Sequence, residues 1–296
     1  KMPRRRRGKG PQRSRWAARD VSDDPDAPQR AADQAGNRME KIEALVKRKH
    51  DGLIVVLEDP YDEGNAGAVI RSCDAFGVTE VWFVHNGIDE GTSMRKHVER
   101  YEDMDLDSTD MMKSSSSATR WMVCRTLRST QTALDELQGT GYRQFATCFT
   151  DKSVSLYNTD ISTKKMALWV GNEYEGLSDL AIEGCDVELF IPMRGMIQSL
   201  NLSVATAVCL SEVCRQRATS DDPDDYALPE ETQRKMAGAL SLKRRNYRQR
   251  NSSQKVVARQ AKTWDSVVGR SNKPQRDGPR PDPRARGDTA VEVEAG

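Results

Sequence analysis

Short continuous apolar runs alternate along this chain with segments whose apolar residues recur at helical spacing. The run Leu53–Leu57 is continuous and β-branched, which predicts a strand covered on both faces, as in a parallel sheet. Gly64 and Gly67 then indicate a turn, and Ala68–Phe76 has the spacing of a helix. Val81–Val84 predicts a second strand, so these segments together have the size of one βαβ unit.

The same alternation continues through the middle of the chain. Three more short apolar runs predict strands over Phe145–Phe149, Ala167–Val170 and Val187–Ile191. Helical spacing predicts helices over 39–49, 132–137 and 203–217, and residues 232–250 add a basic helix. The acidic stretch 89–110 reads as an exposed loop or weak helix, and the serine-rich 113–120 fits neither class. Alternating strands and helices indicate the α/β fold class.

Charge is distributed very unevenly between the ends and the middle of the chain. The 296 residues carry a formal net charge of +1, from 46 Lys and Arg against 45 Asp and Glu. Residues 1–38 hold 11 basic and 5 acidic residues and residues 241–296 hold 14 and 6, which leaves −13 for 39–240. The ends are also rich in Arg, Gly and Pro, so we expect disordered basic tails on a folded acidic body. Such tails suit a polyanion, most often nucleic acid.

Several classes of protein are excluded by composition. No apolar run approaches the roughly 18 residues of a membrane helix, so no membrane partner is expected. The six cysteines form no C-x-x-C pair and the three histidines are not grouped with them, which argues against a metal site. We expect buried free thiols in a reducing compartment, hence a cytoplasmic protein.

The first segment that could carry chemistry is 63–71, directly after the first strand. An ordinary strand-to-helix turn is one interpretation, and a dinucleotide site is another. The G-x-G-x-x-G fingerprint of such a site is incomplete, because only Gly64 and Gly67 have the required spacing. Asn65 and Arg71 can both face the same end of the sheet if this turn folds back.

Two later segments also follow predicted strands. Residues 171–178 either merely cap a helix at Ser178 and Asp179, or hold the Glu173 carboxylate at the carboxyl edge of the sheet, where α/β proteins bind ligands. Residues 191–203 form a loop that leads into a helix and could again be only a capped loop. Because this loop contains two Met, two Ile and two Leu, we expect it to wrap a hydrophobic ligand, a neighbouring chain, or both.

The three segments, in this order, resemble the SpoU/TrmH family of SPOUT-class RNA 2′-O-ribose methyltransferases. Residues 65–71 match its N-x-x-A-x-x-R motif, and 171–176 match G-x-E-x-x-G. Residues 191–205 match I-P-M-x-G-x-x-x-S-L-N-x-S-x-A in full. The resemblance spans about residues 38–240.

The resemblance implies a mostly parallel sheet with a C-terminal trefoil knot, whose loops bind S-adenosyl-L-methionine. The cofactor-lining positions it implies are Thr147, Gly171, Ile191, Met193 and Leu200. It also implies a homodimer through the knot region, with the helix 203–213 packed across the two-fold axis. The domain organisation becomes a basic arm 1–37, a methyltransferase domain 38–220, an acidic linker and helical extension 221–250, and a basic tail 251–296.

The reaction implied is methyl transfer to a ribose 2′-hydroxyl, a weakly acidic nucleophile that must lose its proton. The catalytic residues implied are Arg71, Asn65, Glu173, Ser199 and Asn201. Arg71 acts either as the base, with a strongly perturbed pKa, or as a cation that binds phosphate and stabilises the developing alkoxide. Asn65 orients Arg71 or the ribose, and Glu173 holds Arg or Asn side chains.

The substrate implied is tRNA, at its D-loop guanosine, because no globular RNA-binding domain precedes the core. Predicted RNA-binding residues are Arg120, Lys243, Arg244, Arg245 and Arg248, although the segment around Arg120 departs from the family motif by having Ser where Gly is common. The tail residues could instead be merely solubilising. The alternatives are an rRNA 2′-O-methyltransferase, an RNA-binding protein that lost catalysis, and a nicotinamide-dependent dehydrogenase.

Overall fold

A seven-stranded parallel sheet forms the centre of the computed structural model, which describes residues 37–86, 106 and 108–241. The strand order is β3-β2-β1-β6-β4-β7-β5, and every neighbouring pair is parallel. The α/β fold class with a mostly parallel sheet is therefore confirmed. The strands are β1 Leu53–Glu58, β2 Glu80–Val84, β3 Val123–Leu127, β4 Arg143–Thr147, β5 Val154–Ser155, β6 Met166–Val170 and β7 Val187–Phe190.

Seven α-helices lie in the described residues. They are α1 Arg38–Val46, α2 Glu63–Ala75, α3 Thr109–Ser114, α4 Thr130–Gly139, α5 Asp179–Gly184, α6 Leu202–Ala218 and α7 Glu230–Ser241. Short 3₁₀ turns cover Ala118–Arg120, Leu156–Asn158 and Pro223–Tyr226.

Both faces of the sheet are covered, as the continuous apolar run of β1 predicts. Leu53, Val55 and Leu57 pack in one cluster with residues of α2 and α6. Ile54 and Val56, which point to the opposite face, pack with residues of α4 and α5. All of β1, β2 and β6 is buried, so these central strands need helices on both sides.

A third, smaller apolar cluster joins the first and last described helices. Ile42 and Val46 of α1 pack with Met236 and Leu240 of α7. The guanidinium of Arg38 donates to the Leu240 carbonyl oxygen at 3.1 Å, which fixes the start of α1 against the end of α7.

The strand order brings all three motif segments to one edge of the sheet. The chain first builds β1, β2 and β3 outward, and later places β6 between β1 and β4 and β7 between β4 and β5. Because the strands are parallel, the loops after β1, β6, β4 and β7 leave from the same carboxyl edge. The order reverses at β1 and β6, and such a switch point is where open α/β sheets bind ligands.

Helix α2 begins earlier than the sequence predicts, so the expected glycine turn was wrong. The Asp62 side chain accepts from the Asn65 amide at 2.7 Å and caps the helix, which places Gly64 and Gly67 inside it. Gly67 is required by packing, because a Cβ there would collide with Ser114 Oγ of α3. The glycines therefore indicate a close helix contact rather than a turn.

Two strands escaped sequence prediction. In β3 only Val123 and Cys124 are buried, and Arg125 in its middle stacks on Trp82 and pairs with Glu136, so the apolar pattern is too short to recognise. Strand β5 has two residues and lies at the opposite edge. Such half-exposed edge strands carry little hydrophobic pattern.

The serine-rich segment 113–120 contains the end of α3 at Ser114 and a 3₁₀ turn over Ala118–Arg120. The helix expected over 232–250 runs from Glu230 to Ser241, and its remainder lies outside the described residues, as do 89–105 and both basic tails. The knot, which the resemblance implies, stays a prediction.

Residues 37–86 and 108–241 contain neither a membrane-spanning helix nor a group of metal-ligating side chains. No helix there combines the length and the hydropathy needed to cross a bilayer. In the same ranges no three His, Cys, Asp or Glu side chains are grouped so that they could hold a metal ion.

Candidate functional site

Three side chains from distant parts of the chain meet at the carboxyl edge of the sheet. Asn65, in the first turn of α2, donates from Nδ2 to Glu173 Oε1 at 3.1 Å. Asn201, which precedes α6, donates from Nδ2 to Asn65 Oδ1 at 2.9 Å. Each of the three belongs to a different motif segment, and we call them the acceptor cluster.

Glu173 is the fixed centre of the acceptor cluster. Besides Asn65, its carboxylate accepts from the Tyr61 amide at 2.7 Å and from the Asp62 amide at 3.2 Å. These amides belong to the loop that leads into α2, so a negative charge sits beside the start of that helix, where the helix dipole favours it. The carboxylate therefore joins the loop after β6 to the loop after β1.

The loop that carries Glu173 is a tight turn. Asn172 and Gly176 exchange two backbone hydrogen bonds, of 2.8 and 2.9 Å, and Gly176 has the positive φ of +74° that this turn needs. Gly171 is buried, and a Cβ on it would collide with the Gly176 and Leu177 backbone. Gly171 was expected to line the cofactor site, and the structure shows that close backbone approach requires glycine there.

Asn201 has a second task at the start of α6. Its Oδ1 accepts from the Ser203 amide at 2.9 Å and from the Ser203 hydroxyl at 2.7 Å, so it is the N-cap of the helix. With Oδ1 engaged in capping, Nδ2 is directed to Asn65. One side chain thus fixes both the helix start and the orientation of the Asn65 amide.

Arg71 lies away from the acceptor cluster, further along α2. Six residues separate it from Asn65, a rise of about 9 Å along a helix. It is exposed, forms no hydrogen bond or ion pair with the described residues, and lines a cavity of about 520 Å³ between α2 and α6. Ser203 borders this cavity and also bonds Asn201, so the cavity adjoins the cluster.

The sequence analysis allowed Arg71 and Asn65 to face the same end of the sheet on the condition that the turn between them folds back. That condition is not met, because both residues lie within the single helix α2. Glu173 holds Asn65 and two backbone amides, and it does not contact Arg71.

The loop 192–200 between β7 and α6, which we call the donor loop, contrasts with the acceptor cluster. Within the described residues its backbone forms no hydrogen bond with other backbone groups. Met196 is fully exposed and Ile197 is 61% exposed, although both are apolar. Ser199 is exposed as well, whereas Met193 and Leu200 are half-buried.

The remaining positions that were predicted to line the cofactor site lie at the ends of neighbouring strands. Thr147 ends β4, and its hydroxyl donates to the Trp169 carbonyl oxygen of β6 at 2.8 Å. Ile191 directly follows β7 and is half-buried. Together with Gly171 after β6, these residues follow three adjacent strands, so the structure brings them to one edge.

A buried carboxylate that the sequence analysis overlooked supports the same edge. Glu58 ends β1 and is 2% exposed, and its carboxylate accepts from the Ser178 amide at 2.8 Å and the Ser178 hydroxyl at 2.7 Å. The Thr130 hydroxyl donates to it as well. The signal was available, because Glu58 is a charge directly after a continuous apolar run. The Glu58 carboxylate thus ties the segment that follows Glu173 to the central strand β1.

The predicted RNA contacts are only partly described. Arg120 is exposed at the end of its 3₁₀ turn. Lys243, Arg244, Arg245 and Arg248 lie outside the described residues.

All six cysteines are free thiols. Burial raises the pKa of Cys209 to about 12 and that of Cys214 to about 11. Both thiols therefore stay protonated and unreactive at neutral pH.

Residues 52–211, more than half of the chain, match the SpoU rRNA Methylase family. The chain belongs to the SpoU methylase family. Its similarity to the tRNA (guanosine(18)-2′-O)-methyltransferase of Escherichia coli strain K12 is 30% identity over 201 residues, which is 67% of this chain and 80% of that protein.

Two further comparisons place this SpoU family member among its relatives. The crystal structure of the A. aeolicus TrmH/SpoU tRNA modifying enzyme matches at 27% identity with a TM-score of 0.52, over 76% of this chain and 95% of that one. The 23S rRNA (guanosine-2′-O-)-methyltransferase of Yersinia pestis is 33% identical over 176 residues, which is 60% of this chain and 64% of that protein.

Proposed function

We propose that this SpoU family protein transfers a methyl group from S-adenosyl-L-methionine to a ribose 2′-hydroxyl of tRNA, at the D-loop guanosine. The observation that carries the proposal is the acceptor cluster, in which Asn65, Glu173 and Asn201 converge beside a cavity that holds Arg71. These residues come from the three segments that match the family motifs.

The residues present fit a bound S-adenosyl-L-methionine. Adenine is recognised through its polar edge and its apolar faces. The donor loop offers backbone groups that bond to no other backbone group in the described part of the chain, together with the half-buried side chains of Ile191 and Met193. Thr147, Gly171 and Leu200 complete the set of positions that would hold it. When bound, the cofactor supplies a methyl group on a positively charged sulfur.

The acceptor side is served by this chain's own side chains. Arg71 would bind the RNA phosphate and stabilise the charge that develops on the 2′-oxygen while its proton passes to solvent water, or Arg71 would itself receive that proton. Asn65, whose amide is oriented from both ends, would position the ribose. Ser199 would hold the substrate against the donor loop, and Glu173 and Asn201 would keep Asn65 in place.

The choice of tRNA rests on the named relatives. By its name, the E. coli relative acts on guanosine 18 of tRNA. The match with this chain covers 80% of that protein. The rRNA-directed Yersinia relative keeps rRNA as the second candidate, but the chain spans only 64% of that protein. The match covers a larger share of the tRNA enzyme than of the rRNA enzyme, which favours tRNA as the substrate.

Further proposals concern assembly and location. A homodimer through the C-terminal knot region would cover the exposed apolar residues Met196, Ile197 and Val204. Arg120 and the basic residues 243–248 would contact RNA phosphates. Free cysteines throughout the described residues suit the reducing cytoplasm as its location.

The test is a methylation assay with purified protein, labelled S-adenosyl-L-methionine, and separate tRNA and rRNA pools. We expect label in tRNA, at the 2′-oxygen of a D-loop guanosine. Label in rRNA alone would select the second candidate. Absence of label from both pools, with the cofactor bound, would instead indicate an RNA-binding protein without catalysis.

A further inference from the structure

An exposed aromatic side chain stands at the tip of the turn that carries Glu173. Tyr174 is 77% exposed, although it is one of the larger side chains of the described part. It directly follows Glu173 in sequence, so its backbone is one residue from the acceptor cluster. Its contacts do not explain it as a residue that holds the sheet or the helices together.

The turn presents this ring on a fixed backbone. The Tyr174 amide donates to Asn172 Oδ1 at 2.8 Å, and the Glu175 amide donates to the same oxygen at 3.3 Å. Asn172 Nδ2 in turn donates to the Asp59 carbonyl oxygen at 2.6 Å. The turn is thus clamped to the end of β1, and little conformational freedom remains to be lost when a ligand binds.

A second tyrosine holds the ring from one side. The rings of Tyr174 and Tyr61 lie 5.0 Å apart between centroids, at an interplanar angle of 87°. This edge-to-face contact is favourable, and it cannot cover both faces of a ring that is 77% exposed. An open aromatic face is therefore available next to the acceptor cluster.

The chemistry of that face matches a nucleobase. Sequence-tolerant RNA contacts are commonly made by stacking unpaired bases on aromatic side chains. Methylation of a ribose 2′-hydroxyl brings its C2′ to the acceptor cluster, and the base is attached at the adjacent C1′. A base at the methylated position, or next to it, lies within reach of a ring that neighbours Glu173.

We infer that Tyr174, braced by Tyr61, is a stacking platform for an RNA base beside the ribose that is methylated. This inference rests on the proposed function and adds a substrate contact to it. Purine stacking could also come from the adenine of the cofactor, since Gly171 opens the same turn, but Tyr174 directly follows Glu173, the centre of the acceptor cluster, on the far side of that residue from Gly171. We therefore assign the ring to the RNA.

The experiment compares Tyr174→Ala, Tyr174→Phe and Tyr174→Trp in the full chain by steady-state methyl transfer to tRNA. Loss of one stacked base predicts a KM for tRNA about 10-fold higher in the alanine variant. The phenylalanine and tryptophan variants should restore it, because both keep an aromatic face. Leu180→Ala removes another exposed apolar side chain, six residues further along the chain, and is the matched control. It should leave the KM for tRNA and the KM for S-adenosyl-L-methionine unchanged.

A second measurement uses the fluorescence of the tryptophan variant. Titration of Tyr174→Trp with tRNA should quench more fluorescence than titration of the unsubstituted chain, because a stacked base quenches indole. An unchanged KM for tRNA in the alanine variant, no rescue by phenylalanine, or a higher KM for S-adenosyl-L-methionine alone would each overturn the inference. Failure of the proposed function is distinguishable, because then the unsubstituted chain would methylate no RNA.

Discussion

The acceptor cluster and the donor loop lie at the same edge of one sheet, yet they are built in opposite ways. In the acceptor cluster each side chain has its hydrogen-bonding partners within the chain, and Asn65 is held from both ends of its amide. In the donor loop the backbone groups of 192–200 bond to no other backbone group in the described residues, and apolar side chains face outward. The hydrogen-bonding groups of the acceptor cluster are thus paired within the chain, whereas the donor loop offers backbone groups to a ligand.

This difference indicates how the site divides its work. A prearranged polar cluster needs no reorganisation when charge develops, which is where enzymes gain most of their electrostatic stabilisation. An open apolar loop gains its partners only from a ligand or a second chain. We therefore expect substitutions in the acceptor cluster to lower kcat, and substitutions in the donor loop to raise the KM of the cofactor.

The largest effect is expected for Arg71→Ala. Because Arg71 brings a cation to the cavity between α2 and α6, which adjoins the acceptor cluster through Ser203, its loss should lower kcat by about 1000-fold. Calorimetric titration with S-adenosyl-L-methionine should show cofactor affinity close to that of the unsubstituted chain. Arg71→Lys keeps a cation at this position, so partial activity in that variant would show that a positive charge suffices without the planar guanidinium. Near-normal turnover in Arg71→Ala would remove Arg71 from the chemistry.

Glu173→Gln tests the centre of the acceptor cluster. The new amide turns a donor toward groups that already donate, the Tyr61 amide and Asn65 Nδ2, so at least one hydrogen bond is lost. Displacement of Asn65 should lower kcat by up to about 100-fold. Glu175→Gln is the matched control, since it makes the same change at an exposed neighbour, and its rate should stay normal. Equal losses in the two variants would argue against a specific role for Glu173.

A smaller effect separates the two tasks of Asn201. Asn201→Ser keeps a good N-cap for α6 but cannot reach Asn65, so kcat should fall by about 10-fold with little loss of stability. Asn201→Ala should lose the same activity and, in addition, about 1 kcal/mol of unfolding free energy, because the cap disappears. Urea unfolding measured beside kcat distinguishes them. If Asn201→Ser were fully active, the bond to Asn65 would have no catalytic value.

The smallest effect on activity is expected far from both regions, at His50. Burial, with Arg217 and Lys49 nearby, lowers the pKa of His50 to about 4. The unfolded chain binds this proton near pH 6.5, so between those values unfolding takes up a proton and stability falls as the pH falls, by up to about 1.4 kcal/mol per pH unit. His50→Gln should flatten the loss of Tm between pH 6.5 and 4 while kcat at neutral pH is unchanged. A loss of activity at neutral pH would couple His50 to the site.

The sequence carried the fold class and the three motif segments, because buried strands such as Leu53–Leu57 have an unmistakable apolar pattern. The start of α2 was predicted wrongly, because a local pattern of glycines indicates a turn. Gly67 instead allows a close contact with Ser114, a residue 47 positions away in the sequence. The sequence analysis also missed Glu58, whose partners come from distant loops. Side-chain partners across strands depend on sheet order, and local pattern does not contain that information.

The central claim is most directly tested by mapping 2′-O-methyl groups on tRNA after reaction with the purified full chain and S-adenosyl-L-methionine. The account predicts one methylated ribose, on a D-loop guanosine, which is absent when Arg71→Ala replaces the unsubstituted chain. Methylation on a base atom, or an unchanged ribose signal with Arg71→Ala, would contradict it.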